Sequence, residues 1–144
     1  MDLERGKGLG YLLERTTRLV KLSYSQAFKG AGFDITPEQW VIMESLYENP
    51  DGQYQNELVE FSFKDAPTIS RIIDLLCKKG FASRETDKTD KRSRNVKLTD
   101  IGRETVEKMQ PLVAELRIRG WQGLSDEDFE EFVRMIDQVF ENYK

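Results

Sequence analysis

Apolar residues at Leu9, Leu12, Leu13, Leu19, Val20, Tyr24, Ala27 and Phe28 recur near helical spacing. They predict a long amphipathic helix over residues 8–29 that ends near Gly30 and Gly32. A second helix is expected from Thr36: Thr36 can cap, Pro37 suits the first turn, and Gln39 completes a capping box before the apolar run Trp40 to Tyr47. Turn chemistry from Asn49 to Gln53 closes it, and a short third helix over residues 53–61 is expected to bury Leu58 and Val59.

The next stretch, SFKDAPTISRIIDLLCKKG, predicts a helix over residues 66–79 with Asp65 as its cap, Pro67 in its first turn, and Gly80 after Lys78 and Lys79 at its end. On a helical wheel Ile69, Ile72, Ile73, Leu76 and Cys77 share one side. Pro67, Ser70, Arg71, Asp74 and Lys78 lie on or beside the other, with Thr68 on a flank. Residues 81–86 and 94–99 read as two short strands joined by the charged tip DKTDKRS. Thr99 caps the following helix, in which Pro111 is an expected kink, and Ser125 opens a last helix with the stripe Phe129, Phe132, Val133, Ile136, Val139 and Phe140.

Charge sharpens this picture. From Lys64 to Lys97 ten basic residues stand against five acidic ones, a local +5 in a chain of net −4, which leaves −9 elsewhere. A basic stripe on an acidic body suits a phosphate-binding face, because counterion release depends on the charges that touch the backbone. Taken singly, an outward Ser, Thr and Arg face reads as a solvated surface, and a charged tip as ordinary turn chemistry. Together, three helices followed by a hairpin give the order of a winged helix-turn-helix, whose second helix enters the major groove. Arg71 can donate two hydrogen bonds to a guanine edge, while Lys88, Lys91, Arg92 and Arg94 on the protruding tip can reach phosphates or a narrow minor groove. Asp74 faces the same way and is expected to pair with Lys78 one turn on; Asp90 can hold Arg92 or Arg94.

With 144 residues and 38% hydrophobic content, one domain spanning 1–144 is the default. One cysteine, no basic-then-apolar leader and no long apolar run point to the cytoplasm. Zero histidines, no glycine-rich phosphate loop and no serine elbow argue against an enzyme, a metal site or a cofactor. Cys77 falls on the packed side, where a thiol behaves as a small apolar group, so redox sensing is not expected. A winged helix turned to an acidic protein partner is the remaining rival, and loss of binding with salt separates the two.

The run TISRIIDLLCKKGFASRETDKTDKRSRNVKLTDIGRE resembles the signature of the MarR (multiple antibiotic resistance regulator) family, and TPEQWVIMESLYENP, QNELVEFSF and GLSDEDFEEF extend the likeness over nearly the whole chain. The resemblance implies a mainly α (α+β) fold: a winged helix-turn-helix lobe over 34–99, with dimerisation helices over 8–29 and 100–142. It implies that Thr68, Ser70 and Arg71 read bases or contact phosphates, and with the charge reading the DNA-contact candidates are Pro67, Thr68, Ser70, Arg71, Lys78, Arg84, Lys88, Asp90, Lys91, Arg92 and Arg94. Among these Arg92 is the wing arginine and Asp90 its orienting partner; Ala66 and Pro67 depart from the family pattern and leave open which bases are read.

The implied function is a sequence-specific regulator of duplex DNA, of repressor type, acting as a homodimer on a pseudo-palindromic operator. The expected interface comprises Leu9, Leu12, Leu13, Val113, Leu116, Phe129, Phe132, Val133, Ile136 and Phe140. Small aromatic or phenolic effectors release DNA in many relatives, and Arg15, Tyr24, Trp40 and Tyr47 are candidates to line such a pocket, although core or interface packing is the better account of those aromatics. Operator, regulated genes, effector and the choice between repression and activation stay open.

Overall fold

The helices begin where a side chain can satisfy the first free amides. In the computed structural model, which describes residues 8–90 and 94–144, helix α1 spans Leu9–Gly30 and helix α2 spans Pro37–Glu48. Thr36 Oγ1 accepts the Gln39 amide and Gln39 Oε1 accepts the Thr36 amide, both at 3.1 Å, so the expected capping box is present. Asp65 caps α4 (Ala66–Lys78), Thr99 caps α5 (Asp100–Gly120), and Ser125 with Asp128 forms a second capping box on α6 (Asp126–Tyr143). Helix α5 runs on past Pro111 as one helix.

One element departs from the sequence reading. Gln53 and Tyr54, expected to begin the third helix, form a two-residue strand β1, and α3 covers Gln55–Ser62. With β2 (Ala82–Thr86) and β3 (Arg94–Leu98) it makes an antiparallel sheet of order β1-β3-β2, in which Val96 lies opposite both Gln53 and Arg84. Two residues are too few to show alternation, so sequence periodicity passes over such a strand.

The core gathers one face from each of α1 to α5 and from the sheet. Phe28 of α1, Ile42, Met43 and Leu46 of α2, Leu58 of α3, Ile69, Ile73 and Leu76 of α4, Val96 of β3, and Val106, Met109 and Val113 of α5 are buried together. Burying each such side chain is worth about 1.5 to 3 kcal/mol. Val113 corrects an expectation: at 1% exposure it packs into its own chain's core and has no area left for a partner.

Two glycines set the close joints. Gly80 takes φ +82° after α4, where its amide bonds to Cys77 O and the Phe81 amide to Leu76 O. Gly102 allows the start of α5 to press on the backbone that leads into β2, because a Cβ there would collide with the Phe81 carbonyl. Thr99 completes that joint, its amide bonding Phe81 O at 3.0 Å and its hydroxyl donating to Gly80 O at 2.6 Å.

Candidate nucleic-acid interface

Helix α4 turns Ile69, Ile73 and Leu76 inward and leaves Pro67, Arg71 and Lys78 exposed. Thr68 and Ser70 are half-buried on its flank, and so are Ile72 and Cys77. The Asp65 carboxylate accepts the Thr68 amide at 2.7 Å, and hydrogen bonds from Thr68 hold its carboxyl below the usual aspartate range. Burial pushes the Cys77 thiol up, which favours its protonated form.

Lysine 79 sets α4 against the helix-turn-helix entrance. Its Nζ donates to the Asp34 carbonyl at 2.7 Å and to Gln39 Oε1 at 3.0 Å, which ties the end of α4 to the start of α2. Sequence reasoning gave Lys79 only a place in the last turn; the long reach is invisible without the fold.

The wing stands beside this helix. Lys88, Asp90 and Arg94 are exposed at its tip, whereas Lys91 and Arg92 lie outside the described residues. Asp87 orders the turn by accepting the Thr89 amide at 2.9 Å and hydroxyl at 2.8 Å. The Tyr54 phenol donates to Asp87 Oδ2, a link that sequence reading missed because Tyr54 had been placed in a helix.

Two assignments change. Arg84, expected among the DNA contacts, is only 15% exposed at its side chain and points into the molecule. There its Nη1 donates to Asp74 Oδ1, so Asp74 pairs with Arg84 and its expected Lys78 partner is not used.

The candidate effector residues are not brought together. Tyr24 and Trp40 line one cleft and Arg15 and Tyr24 another, while Trp40 packs on Phe28 in the core. Tyr47 is engaged elsewhere, donating to Glu107 and lying under Arg103.

The expected interface residues, Val113 aside, face outward or lie half-buried. Leu12, Leu13, Phe129, Phe132, Val133 and Phe140 are exposed, and Leu9, Leu116 and Ile136 are half-buried. Helix α6 buries none of its residues. Its few aromatic contacts are with Trp121, which meets Phe129 and Phe132 at 4.7 and 5.4 Å, and with Phe63, which meets Phe140.

An outward helix after a tight helical turn, flanked by a β-ribbon, defines the winged-helix class of DNA-binding transcription regulators. Residues 35–93, from the start of α2 into the wing, match the model of the MarR family. The fold is similar to that of S. aureus MepR in its DNA complex, with 26% identity and a TM-score of 0.85 over 93% of this chain and 97% of that one. It is similar also to a mutant E. coli MarR complexed with operator DNA, at 23% identity and 0.84 over 96% and 99% of the two chains. PcaV from Streptomyces coelicolor, in complex with its natural ligand, shares the fold at 20% identity and 0.82 over 100% and 98%.

Over residues 35–93 the chain matches the MarR family, and its likeness to MepR in a DNA complex supports a DNA-binding transcription regulator of that kind. Among the described residues no helix is long and apolar enough to cross a membrane.

Proposed function

We propose that this regulator binds a specific pseudo-palindromic operator as a homodimer in the cytoplasm and acts as a repressor. One domain over 1–144 carries a winged-helix lobe at 34–99 between dimerisation helices at 8–29 and 100–142. The observation that carries DNA reading is the division of α4, with Ile69, Ile73 and Leu76 locked inside while Arg71, Pro67 and the flanking Thr68 and Ser70 remain accessible beside the wing. In this reading Arg71, Thr68 and Ser70 contact bases, and Lys78, Lys88, Asp90, Lys91, Arg92 and Arg94 serve the backbone and minor groove. The similar folds of MepR in its DNA complex and of mutant MarR complexed with operator DNA support it.

Dimerisation is supported by α6, whose apolar stripe meets no core of its own chain. A large exposed apolar patch marks an interaction surface, and a two-fold partner places two recognition helices about one DNA turn apart. Selection from a random duplex pool tests the whole reading. An inverted repeat with half-sites roughly 10 base pairs apart supports it, and unselected sequences with salt-independent binding overturn it.

A second reading, relief by a small aromatic or phenolic effector, is favoured by a cleft of about 410 Å³ between α1, α2 and α3. Val20, Tyr24, Trp40, Val41 and Phe61 form its apolar lining, with Lys21, Lys64 and Arg117 also on its walls. A pocket of this size and character suits a small ring carrying an anionic or phenolic group. Titrating a panel of small phenols and aromatic carboxylates into the preformed DNA complex tests it: release supports the reading, and unchanged anisotropy with each compound rejects it.

A further inference from the structure

We infer that Arg84 and Asp74 form a brace fixing the angle between the recognition helix and the wing, so that Asp74 strengthens operator binding although it is an acid on a DNA-facing helix. The inference rests on the DNA-binding reading above and deepens it by adding two positioning residues.

One guanidinium holds α4 at two points a turn apart. Arg84 Nη1 donates to the Asp74 carboxylate at 2.5 Å and Nη2 donates to the Ser70 carbonyl at 3.3 Å. Its Nε is buried with no hydrogen-bond partner among the described residues, so the brace rests on the two terminal nitrogens. Such two-point contacts suit the planar arginine fork and orient as well as attract. Arg84 also sits opposite Val96, the residue that pairs with Gln53 on the other side of β3. The brace therefore runs from the middle row of the three-stranded sheet into the helix that carries Ser70.

Burial decides what the pair does. The Arg84 side chain is 15% exposed and that of Asp74 is 52% exposed. A guanidinium so placed cannot reach a phosphate without leaving its partner, and the carboxylate is neutralised where it stands. Free of Arg84, Asp74 is a repulsive charge whose removal tightens DNA binding. Within a brace, its removal lets helix and wing shift relative to each other, and the operator is then met with the wrong spacing.

The two accounts predict opposite signs for one conservative substitution. Anisotropy titrations of the selected operator and of random duplex, over a salt series, compare the parent with Asp74→Asn, Arg84→Gln and the double variant. The brace predicts that each single variant loses about tenfold in operator affinity and that the double variant is no worse than the weaker single. Affinity for random duplex and the slope of log K against log salt stay at parent values, which a general loss of structure does not allow. Asp74→Asn leaves a partly exposed, isosteric side chain, so it tests the inference even if Arg84→Gln lowers the melting point.

Equal or tighter operator binding by Asp74→Asn overturns the brace, as does a salt slope reduced by about one in Arg84→Gln, which identifies a phosphate contact. A parent protein that binds no duplex at all overturns the DNA-binding reading together with the brace. A parent that binds while the variants match it overturns the brace alone.

Discussion

The Tyr54 phenol donates its hydrogen to Asp87 Oδ2 at 2.9 Å, joining the strand before α3 to the start of the wing tip. Asp87 also accepts the amide and hydroxyl of Thr89, so one carboxylate organises the turn and anchors it.

These bonds have a defined pH window. The Thr89 amide and hydroxyl and the Tyr54 phenol hold the Asp87 carboxyl below its ordinary 3.8, and Asp87 raises the phenol above its ordinary 10.0. A depressed carboxyl contributes above 3.8 and is lost as pH falls through its folded value; a raised phenol contributes below 10.0 and is lost as pH rises through its own. The Thr89 amide resonance is therefore expected to hold steady from about pH 5 to 8 and to move only below the ordinary carboxyl value. Asp87→Asn should abolish that acid transition, and a persistent one assigns it to another group.

Arg92→Ala is expected to weaken operator binding by about 1 to 3 kcal/mol and to lower the salt slope while leaving the melting curve unchanged. The basis is its place in the Asp90-Lys91-Arg92 wing sequence. Fluorescence anisotropy with mutant and parent on the same duplex checks it; equal affinity removes Arg92 from the interface.

Phe132→Asp is expected to yield monomers. Phe132 is 44% exposed on α6 and packs only partly on Trp121, so the substitution disturbs little of the chain's own core while placing a charge in the proposed interface. Sizing with light scattering at several concentrations decides, and a persistent dimer moves the interface elsewhere.

Gly102→Ala is expected to cost roughly 1 to 3 kcal/mol, as overpacking against rigid backbone does. The atom in the way is the Phe81 carbonyl, which cannot swing aside as a side chain tip can and already accepts the Thr99 amide. Urea denaturation reads this as a lower midpoint with unchanged slope. An unaltered midpoint means the joint between β2 and α5 opens freely.

What the sequence made legible was local. Thr36 with Gln39, Asp65, Thr99 and Ser125 begin the helices they were expected to begin, because capping depends on neighbours three residues away. The inward side of α4 was legible for the same reason of short period. Direction and ownership were not. Arg84 lies in a basic run and reads as a phosphate contact, yet Asp74, ten residues back, turns it inward. Val113 shares a helix with Leu116, and periodicity reveals an apolar stripe without saying whose core receives it. Arg15, Tyr24, Trp40 and Tyr47 were grouped by chemistry alone, and the fold keeps Tyr24 with Trp40 in one cleft while Arg15 lines another and Tyr47 turns to Glu107.

The two-residue strand β1 has a consequence for the operator. Gln53 and Tyr54 pair with β3 and lead straight into α3, which adds a second tie between ribbon and helices beside the Arg84–Asp74 contact. In the proposed complex, α4 and the ribbon meet the duplex as a caliper of set opening. Inserting one base pair between the half-site and its flank displaces that flank by about 3.4 Å along the axis and rotates it around the duplex, and a caliper cannot follow both movements. Tolerance of mismatched letters and intolerance of altered spacing should therefore mark the sites this protein selects.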